Sequence, residues 1–266
     1  MKRFINNLSI LVLLIVSSCG SSSKESVKVT QEPSEEIIRD LKFEDYSIVL
    51  NDMNILEKGE KREFQHKYHI LKVEKDSLVV DSLGWKTVNQ TFFEKHENDL
   101  GMEIVSHHNN KLSRIAQPVG FGWAIGNPKY GEWVDEKTVN NSGISTTTST
   151  TTNATSTTQN NRRVWRSHGP SMLFWYWMLR RPAYQSNYRA NNAYRASGKP
   201  YYGTKPNGTS TYGTNSTYQK TKRASFFSRR TKSNSWKSFS SSKKSRSSSR
   251  YKSASSTRSR SGGTGK

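Results

Sequence analysis

The sequence is poor in apolar residues, in cysteine and, beyond its midpoint, in acidic residues. Only 32% of the 266 residues are hydrophobic, so the whole chain cannot form one packed core, because a globular domain is normally about half apolar. The single cysteine excludes a disulfide framework and any thiolate metal site built from this chain alone. No apolar run reaches the roughly 18 residues that a helix needs to cross a bilayer.

The first twenty residues have the organisation of an export signal. Met1-Lys2-Arg3 is a basic start, and a short apolar stretch runs from Leu8 to Val16. It closes on Val16-Ser17-Ser18-Cys19, where the lone cysteine follows two small residues. A signal peptidase needs small side chains and a lipidating enzyme needs a thiol, and this tetrapeptide resembles the lipobox of bacterial lipoproteins.

The resemblance implies that Cys19 becomes the mature N-terminus, bears a thioether-linked diacylglycerol and is N-acylated with a fatty acid such as palmitate. Each buried methylene contributes about 0.8 kcal/mol, so two or three acyl chains hold a protein on a bilayer. Gly20 follows the cysteine, and by the enterobacterial sorting rule this indicates the outer rather than the inner membrane, facing either the periplasm or the exterior. The alternative is an ordinary secretory leader with a coincidental cysteine.

Charge divides the rest of the chain. All 21 acidic residues lie between Glu25 and Glu136, whereas 24 Lys and Arg lie from Arg162 onward with no acid among them. An asymmetry this complete predicts two physically different regions. The predicted organisation is a signal peptide (1–18), a lipid-anchored tether (19–32), a small β-rich domain (33–140), a Thr/Ser-rich linker (141–161), a basic Trp/Tyr/Arg-rich region (162–224) and a disordered Ser/Arg/Lys-rich tail (225–266).

The acidic region predicts one helix followed by strands. Pro33 to Leu41, with apolar residues at 37, 38 and 41, predicts a helix of two to three turns. The polar triplets 74–76 and 108–110 predict hairpin turns. The expected fold class is therefore α+β or mainly β: a small β-meander domain with one N-terminal helix, followed by a largely disordered basic tail. The predicted strands are 46–50, 68–73, 77–83, 101–105, 111–115 and 120–125.

Histidines are the first residues to consider for catalysis or metal binding, because five of the six lie between His66 and His108. None has the spacing of a metal-binding motif. His96 with Glu94, and the adjacent His107 and His108, are weak candidates for a metal-dependent site, against the favoured alternative of solvated turn and strand-edge residues. The sequence predicts no catalytic residue, no cofactor and no small-molecule substrate, and it argues against an enzyme.

The segment from Gly120 to Trp133 is rich in glycine and aromatic residues. Its aromatics at 121, 123, 130 and 133 could stack on a sugar or a peptide, but such residues more often close a small core, with 127–131 as a turn, and we favour the core. Together with the tyrosine-rich region after residue 183, this segment is similar to stretches in uncharacterised bacterial envelope proteins. That similarity implies a location and no activity.

The basic region carries two further expectations. Met172 to Leu179 is a run of eight apolar residues next to arginines, which predicts either an interfacial membrane anchor or a segment packed on the acidic domain. Lys and Arg without acids nearby attract polyanions, although such a run can also be a solubilising tail. The residues predicted to contact a polyanion or membrane are Arg162, Arg163, Arg166, Trp175, Trp177, Arg180, Arg181, Arg229 and Arg230.

These features predict a non-enzymatic lipoprotein of the bacterial cell envelope, anchored through Cys19. Its basic tail would adhere to anionic envelope polymers or to lipid headgroups. The alternatives are a nucleic-acid-binding protein, which either captures DNA at the surface or has an incidental leader, and a metal-dependent envelope enzyme. The export signal and the charge partition lie in different parts of the sequence, so each can be tested separately.

Overall fold

The structure, a computed structural model, describes residues 24–75, 77–136, 162–167 and 182–255, with the side chains of residues 77 and 245–255 excepted. Residues 19–23 of the predicted tether, Cys19 among them, the Thr/Ser-rich linker 141–161 and the last eleven residues lie outside the described residues. The same holds for four predicted contact residues, namely Trp175, Trp177, Arg180 and Arg181.

The described residues form a mixed α and β fold in which β-sheet predominates. The strands are β1 (Glu25–Ser26), β2 (Tyr46–Lys58), β3 (Lys61–Glu74), β4 (Ser77–Val88), β5 (Glu103–His108), β6 (Lys111–Ser113), β7 (Gly131–Asp135) and β8 (Arg163–Ser167). The helices are α1 (Pro33–Asp40), α2 (Gln90–Lys95), α3 (Gln185–Ala196), α4 (Thr217–Lys222), α5 (Ala224–Lys232) and α6 (Asn234–Ser255). None of these six helices is both long enough and apolar enough to span a membrane.

A six-stranded sheet forms the centre of the fold. The three longest strands, β2, β3 and β4, make two successive antiparallel hairpins, while β5 and then β6 continue the sheet beyond β2. The short β1 runs parallel to the start of β3. The β2–β3 register shifts between Leu50 and Asp52, which leaves Asn51 as an extra residue. Such bulges bend a strand and increase its twist, and the sheet is curled.

Local sequence signals located the helix and the two hairpins correctly. The predicted helix is α1, with Pro33 in its first turn. The predicted hairpins join β3 to β4 and β5 to β6. In the second hairpin, Asn109 and Asn110 have φ angles of 49° and 57°, the left-handed region that a tight hairpin turn requires and that asparagine tolerates.

One face of the sheet packs against helices from both ends of the chain. Ile48 and Leu50 of β2 point into this core, and α5 and α6 contribute Phe226, Trp236 and Phe239, each at most 2% exposed. The prediction of disorder from residue 225 onward is therefore wrong for α5 and for α6 up to Phe239. The reason is that three aromatic side chains bury enough surface to order a segment that is otherwise rich in serine and lysine.

The opposite face of the sheet is covered by the glycine- and aromatic-rich segment. Trp123 packs with Val49 of β2, and Phe121 lies in a neighbouring cluster with Ala183. The expectation that these aromatics close a core is confirmed. The predicted strand at 120–125 is wrong, because these residues form consecutive turns in which the amide groups of residues 124 and 125 donate to the carbonyl of Gly120 at 3.0 and 2.8 Å.

The acidic and basic regions, which are distinct in charge, pack together in space. Strand β7 belongs to the acidic region and pairs along its whole length with β8 of the basic region, from Gly131 opposite Ser167 to Asp135 opposite Arg163. Next to them, Tyr188 of α3 contacts Phe121, with ring centroids 5.8 Å apart. Much of the described basic region is thus part of the folded unit.

Candidate functional site

Five of the arginines predicted to contact a polyanion are described, and the three on or beside β8 all contact groups of the acidic region. Arg166 pairs with Glu132 on the adjacent strand. Arg162 lies 4.4 Å from the centre of the Tyr184 ring, with Glu136 3.6 Å away. Arg163 donates to the carbonyl of residue 133 at 2.7 Å. These partners are distant in sequence, so charge counting could not reveal them.

The other two described arginines, Arg229 and Arg230, lie on α5. Arg229 donates from one terminal nitrogen to both carboxylate oxygens of Asp52, at 2.7 Å each, and it lies near the Trp85 ring. Arg230 lies 5.9 Å from the centre of the Trp236 ring. Arg229 thus fastens α5 to the sheet, and its charge is largely compensated by Asp52.

The weak metal candidates are not brought together. His96 bonds Asp99 at 2.8 Å, and the Tyr202 hydroxyl donates to the other oxygen of the same carboxylate at 2.7 Å. Glu94 accepts a hydrogen bond from Gln90 instead. Across residues 24–75, 77–136, 162–167 and 182–255, no group of three or more His, Cys, Asp or Glu is placed to hold a metal ion.

The other two candidate histidines bond residues that immediately precede β2, the strand next to their own. His107 bonds the carbonyl of Glu44 and stacks on Tyr46, and His108 bonds the buried carboxylate of Asp45. A polar pocket of about 460 Å³ opens beside His108 and includes Lys129 among its lining residues. Asp45 also accepts from the Tyr130 hydroxyl at 2.7 Å, so this arrangement ties the segment around residue 130 to the sheet.

His66 and His69 lie on opposite faces of β3, as their spacing predicts. His66 is fully buried among aromatic rings, and burial lowers its pKa well below the ordinary value, so the imidazole is neutral. His69 instead lines a groove on the other side of the sheet. Partial burial, and then the charge of Arg223, lowers the pKa of His69. Its imidazole is therefore also neutral at pH 7 and above.

The groove has a volume of about 360 Å³ and combines three kinds of lining residue. Its apolar part includes Val49, Val119 and Phe121, and its cations are Lys222 and Arg223. Polar groups come from Asn51, His69, Ser216 and Gln219. No Asp or Glu occurs among the described residues that line it. The residues that line this groove come from positions between 49 and 223, so no local pattern in the sequence indicates it.

Arg223 is the central cation of the groove. It stands between α4 and α5, where the backbone leaves helical geometry with φ −117° and ψ 43°. Its Nε donates to the side-chain oxygen of Gln219 at 3.2 Å. Burial lowers the pKa of Arg223, an effect that Asp52 partly offsets, but a guanidinium stays protonated in proteins. Within the described residues, Arg223 has no ion-pair partner, since the nearby Asp52 already binds Arg229.

A buried carboxylate holds the wall of the groove in place. Glu103 of β5 is fully buried and accepts hydrogen bonds from the amides of Gly120 and Gly122, at 3.1 and 2.6 Å, and from the Ser47 hydroxyl. The Trp123 indole donates to the same hydroxyl at 2.7 Å. Burial raises the pKa of Glu103 to about 7, although the three donors oppose that rise.

This carboxylate explains why residues 120–125 form turns rather than a strand. A Cβ at Gly122 would lie 2.6 Å from a Glu103 oxygen, so only glycine allows the backbone to approach this closely. Because Phe121 lies between the two anchored amides and lines the groove, Glu103 positions one wall of the site. The signal available in the sequence was a single glutamate within an apolar strand.

Comparisons with protein-family models, with curated proteins and with solved structures found no match to this chain.

Proposed function

We propose that this protein is a non-enzymatic lipoprotein of the bacterial cell envelope, anchored in the outer membrane through Cys19. In this proposal its basic C-terminal region adheres to anionic envelope polymers or to lipid headgroups. The lipobox-like leader supports the anchor, and the charge partition along the sequence supports the adhesion. Lipid at one end and an adhesive surface at the other would connect two layers of the envelope.

The observation that carries the adhesion proposal is a set of exposed lysines on α4, α5 and α6. In the described structure none of them lies within ion-pair distance of a carboxylate, in contrast to Arg229 and Lys243 of the same helices, which bind Asp52 and Glu97. We call this set the basic surface. It comprises Lys220, Lys222, Lys232, Lys237 and Lys244.

Uncompensated lysines bind polyanions chiefly by releasing counterions. The logarithm of affinity then falls steeply with the logarithm of salt concentration, with a slope of about 0.9 for each phosphate neutralised on duplex DNA. Near an anionic membrane each lysine contributes about 1 kcal/mol. The basic surface therefore predicts binding that is strong at low salt, weak at high salt and tolerant of the polymer's detailed structure.

The test compares two variants with equal loss of charge. In the first, Lys220, Lys232, Lys237 and Lys244 are changed to Gln, which leaves the groove intact. In the control, the exposed Lys28, Lys42, Lys86 and Lys111 of the acidic region are changed to Gln. Binding to phosphatidylglycerol vesicles, lipopolysaccharide and duplex DNA is measured at several salt concentrations.

We expect the first variant to lose at least tenfold in affinity for the anionic vesicles, with a shallower salt dependence, and the control to bind as the unmodified protein does. Equal behaviour of the two variants would show that position is irrelevant and would overturn the proposal. Clear preference for DNA over the other two at equal salt would support the nucleic-acid alternative instead.

The anchor is tested by intact-mass measurement on the protein extracted from membranes, with Cys19→Ala as the control. The proposal expects a mass that lacks residues 1–18 and includes a diacylglyceryl group, and a Cys19→Ala protein that leaves the membrane fraction. An unmodified protein in the soluble fraction would refute the anchor.

A further inference from the structure

We infer that the groove beside α4 is a discrete site for an organic phosphate, which places its phosphate at Arg223 and its apolar or ring-shaped part against the apolar side of the groove. This inference deepens the proposed function and relies on it only for the source of the ligand. It concerns a bounded site of defined stoichiometry, whereas the basic surface binds polymers through many weak contacts.

The charge of the groove favours an anion. Two cations, Arg223 and Lys222, line it together with the neutral His69, and no acidic side chain occurs among its described lining residues. The acid that partly offsets the burial of Arg223, Asp52, is already bound on both carboxylate oxygens by Arg229, and one of those oxygens also accepts from the backbone amide of Met53. A partly buried guanidinium without a carboxylate partner is stabilised by any anion that reaches it.

The orientation of Arg223 is also fixed before a ligand arrives. Its Nε donates to the side-chain oxygen of Gln219, a residue that is 7% exposed and whose backbone amide donates to the Ser216 hydroxyl at 3.2 Å, at the start of α4. The two terminal nitrogens make no hydrogen bond to any described residue. They are the atoms that a guanidinium uses for paired hydrogen bonds to phosphate oxygens. Preorganisation of this kind reduces the conformational entropy lost on binding.

The remaining lining residues indicate that the ligand is more than an inorganic ion. Phe121, Val49 and Val119 form an apolar side, and the volume of about 360 Å³ lies at the lower end of the range for small-molecule sites. Asn51, at the bulge of β2, and His69 add hydrogen-bonding groups. A phosphomonoester with an attached ring or acyl group matches this combination, and it could be a soluble metabolite or a phosphorylated lipid headgroup.

Calorimetry with the full chain tests the site, with phenyl phosphate as the probe because it joins a phosphomonoester to an apolar ring. We expect saturable binding of one phenyl phosphate per chain and at least tenfold weaker binding of inorganic phosphate. Equal affinity for the two would refute the organic part of the inference. Absence of saturable binding to both would refute the site. The affinities for phosphatidic acid vesicles and for glucose 1-phosphate are then compared. Tighter binding of the vesicles would identify a lipid headgroup as the source of the ligand, and tighter binding of glucose 1-phosphate would identify a soluble metabolite.

The variant Arg223→Gln should bind phenyl phosphate at least tenfold more weakly. Arg230→Gln is the matched control, because Arg230 lies on the neighbouring helix over Trp236 and does not line the groove. Unchanged binding by Arg223→Gln would overturn the inference. Lys222→Gln, at an exposed position, should weaken binding severalfold without affecting folding, so the test survives if the Arg223 variant is unstable.

The two proposals can fail separately. The variant that removes lysines of the basic surface leaves Lys222 and Arg223 in place and should keep its affinity for phenyl phosphate. If that variant and the unmodified protein both bind phenyl phosphate but neither binds anionic polymers, the proposed adhesion is wrong and the groove remains a phosphate site. If anionic polymers bind and phenyl phosphate does not, the groove is not a phosphate site and the proposed adhesion stands.

Discussion

Raising the pH through 7 should destabilise the fold at residues 120–125, the segment that Glu103 holds at one side of the groove. The group responsible is Glu103, which is fully buried and whose pKa is raised by burial to about 7. Above that pH the carboxylate is charged in a site where, among the described residues, its hydrogen-bond donors are the amides of Gly120 and Gly122 and the Ser47 hydroxyl, while Arg195 acts on it only through its charge. The variant Glu103→Gln removes this ionisation and keeps the side chain's size.

The sign and size of the effect follow from linkage. A carboxyl whose pKa is higher in the folded than in the unfolded state contributes stability that is complete below its unfolded pKa, here 4.5, and that is lost as the pH rises through about 7. One pKa unit corresponds to about 1.4 kcal/mol, so Glu103 should contribute on the order of 3 kcal/mol less stability at pH 8 than at pH 4.5.

The assay is urea unfolding of the purified chain and of Glu103→Gln at a series of pH values, followed by tryptophan fluorescence. Comparing the two chains is necessary because His66 acts in the opposite direction. The pKa of His66 is lowered by burial, so its contribution is present above about pH 6.5 and is lost as the pH falls. That contribution is common to both chains and cancels in the difference.

We expect the free energy of unfolding of the unmodified chain, minus that of the variant, to fall by about 2–3 kcal/mol between pH 5 and pH 8. A difference that does not change with pH, or that increases, would refute the reasoning. It would show that hydrogen bonds from the two glycine amides outweigh desolvation and keep the carboxylate ionised throughout this range.

Two further substitutions test how the basic region is integrated into the fold. Phe239→Ala should lower the free energy of unfolding, measured by chemical denaturation, by about 3–5 kcal/mol, because Phe239 is buried against the sheet. The control Ser240→Ala, at an exposed position, should change it little. Equally small effects of the two substitutions would contradict the assignment of Phe239 to the core. Asp52→Asn leaves the partly buried Arg229 without its carboxylate and should lower the free energy of unfolding by about 1–3 kcal/mol in chemical denaturation. A loss below about 0.5 kcal/mol would show that the ion pair is not needed to hold α5 against the sheet.

The sequence was informative where structure depends on neighbouring residues. Pro33 with the acids after it indicated α1, and the asparagine pair at 109–110 indicated the hairpin between β5 and β6. In both cases the backbone conformation is set within one turn of chain. Such signals place elements along the sequence, but they do not show which elements meet in space.

The errors arose where distant residues decide the local structure. Residues 120–125 alternate as a strand would, but they form turns in which the amides of Gly120 and Gly122 donate to the buried Glu103 carboxylate. The tail composition indicated disorder, but Trp236 and Phe239 are buried by a sheet formed some 170 residues earlier. Arg223 is one of 24 Lys and Arg residues in the basic region. Only the fold shows that it lines a groove whose described lining residues include no acid.

The pairing of β7 with β8 has a consequence for how this chain can vary. Asp135 of β7 lies opposite Arg163 of β8, so strand pairing fixes the distance between the two ends of the segment that connects these strands. Loop-closure entropy depends only logarithmically on length, and doubling such a segment costs about 0.6 kcal/mol. Insertions, deletions or an inserted epitope between residues 137 and 161 should therefore leave the sheet and the groove as they are. The Thr/Ser-rich segment is thus the part of the chain where a change in length should disturb the sheet and the groove least.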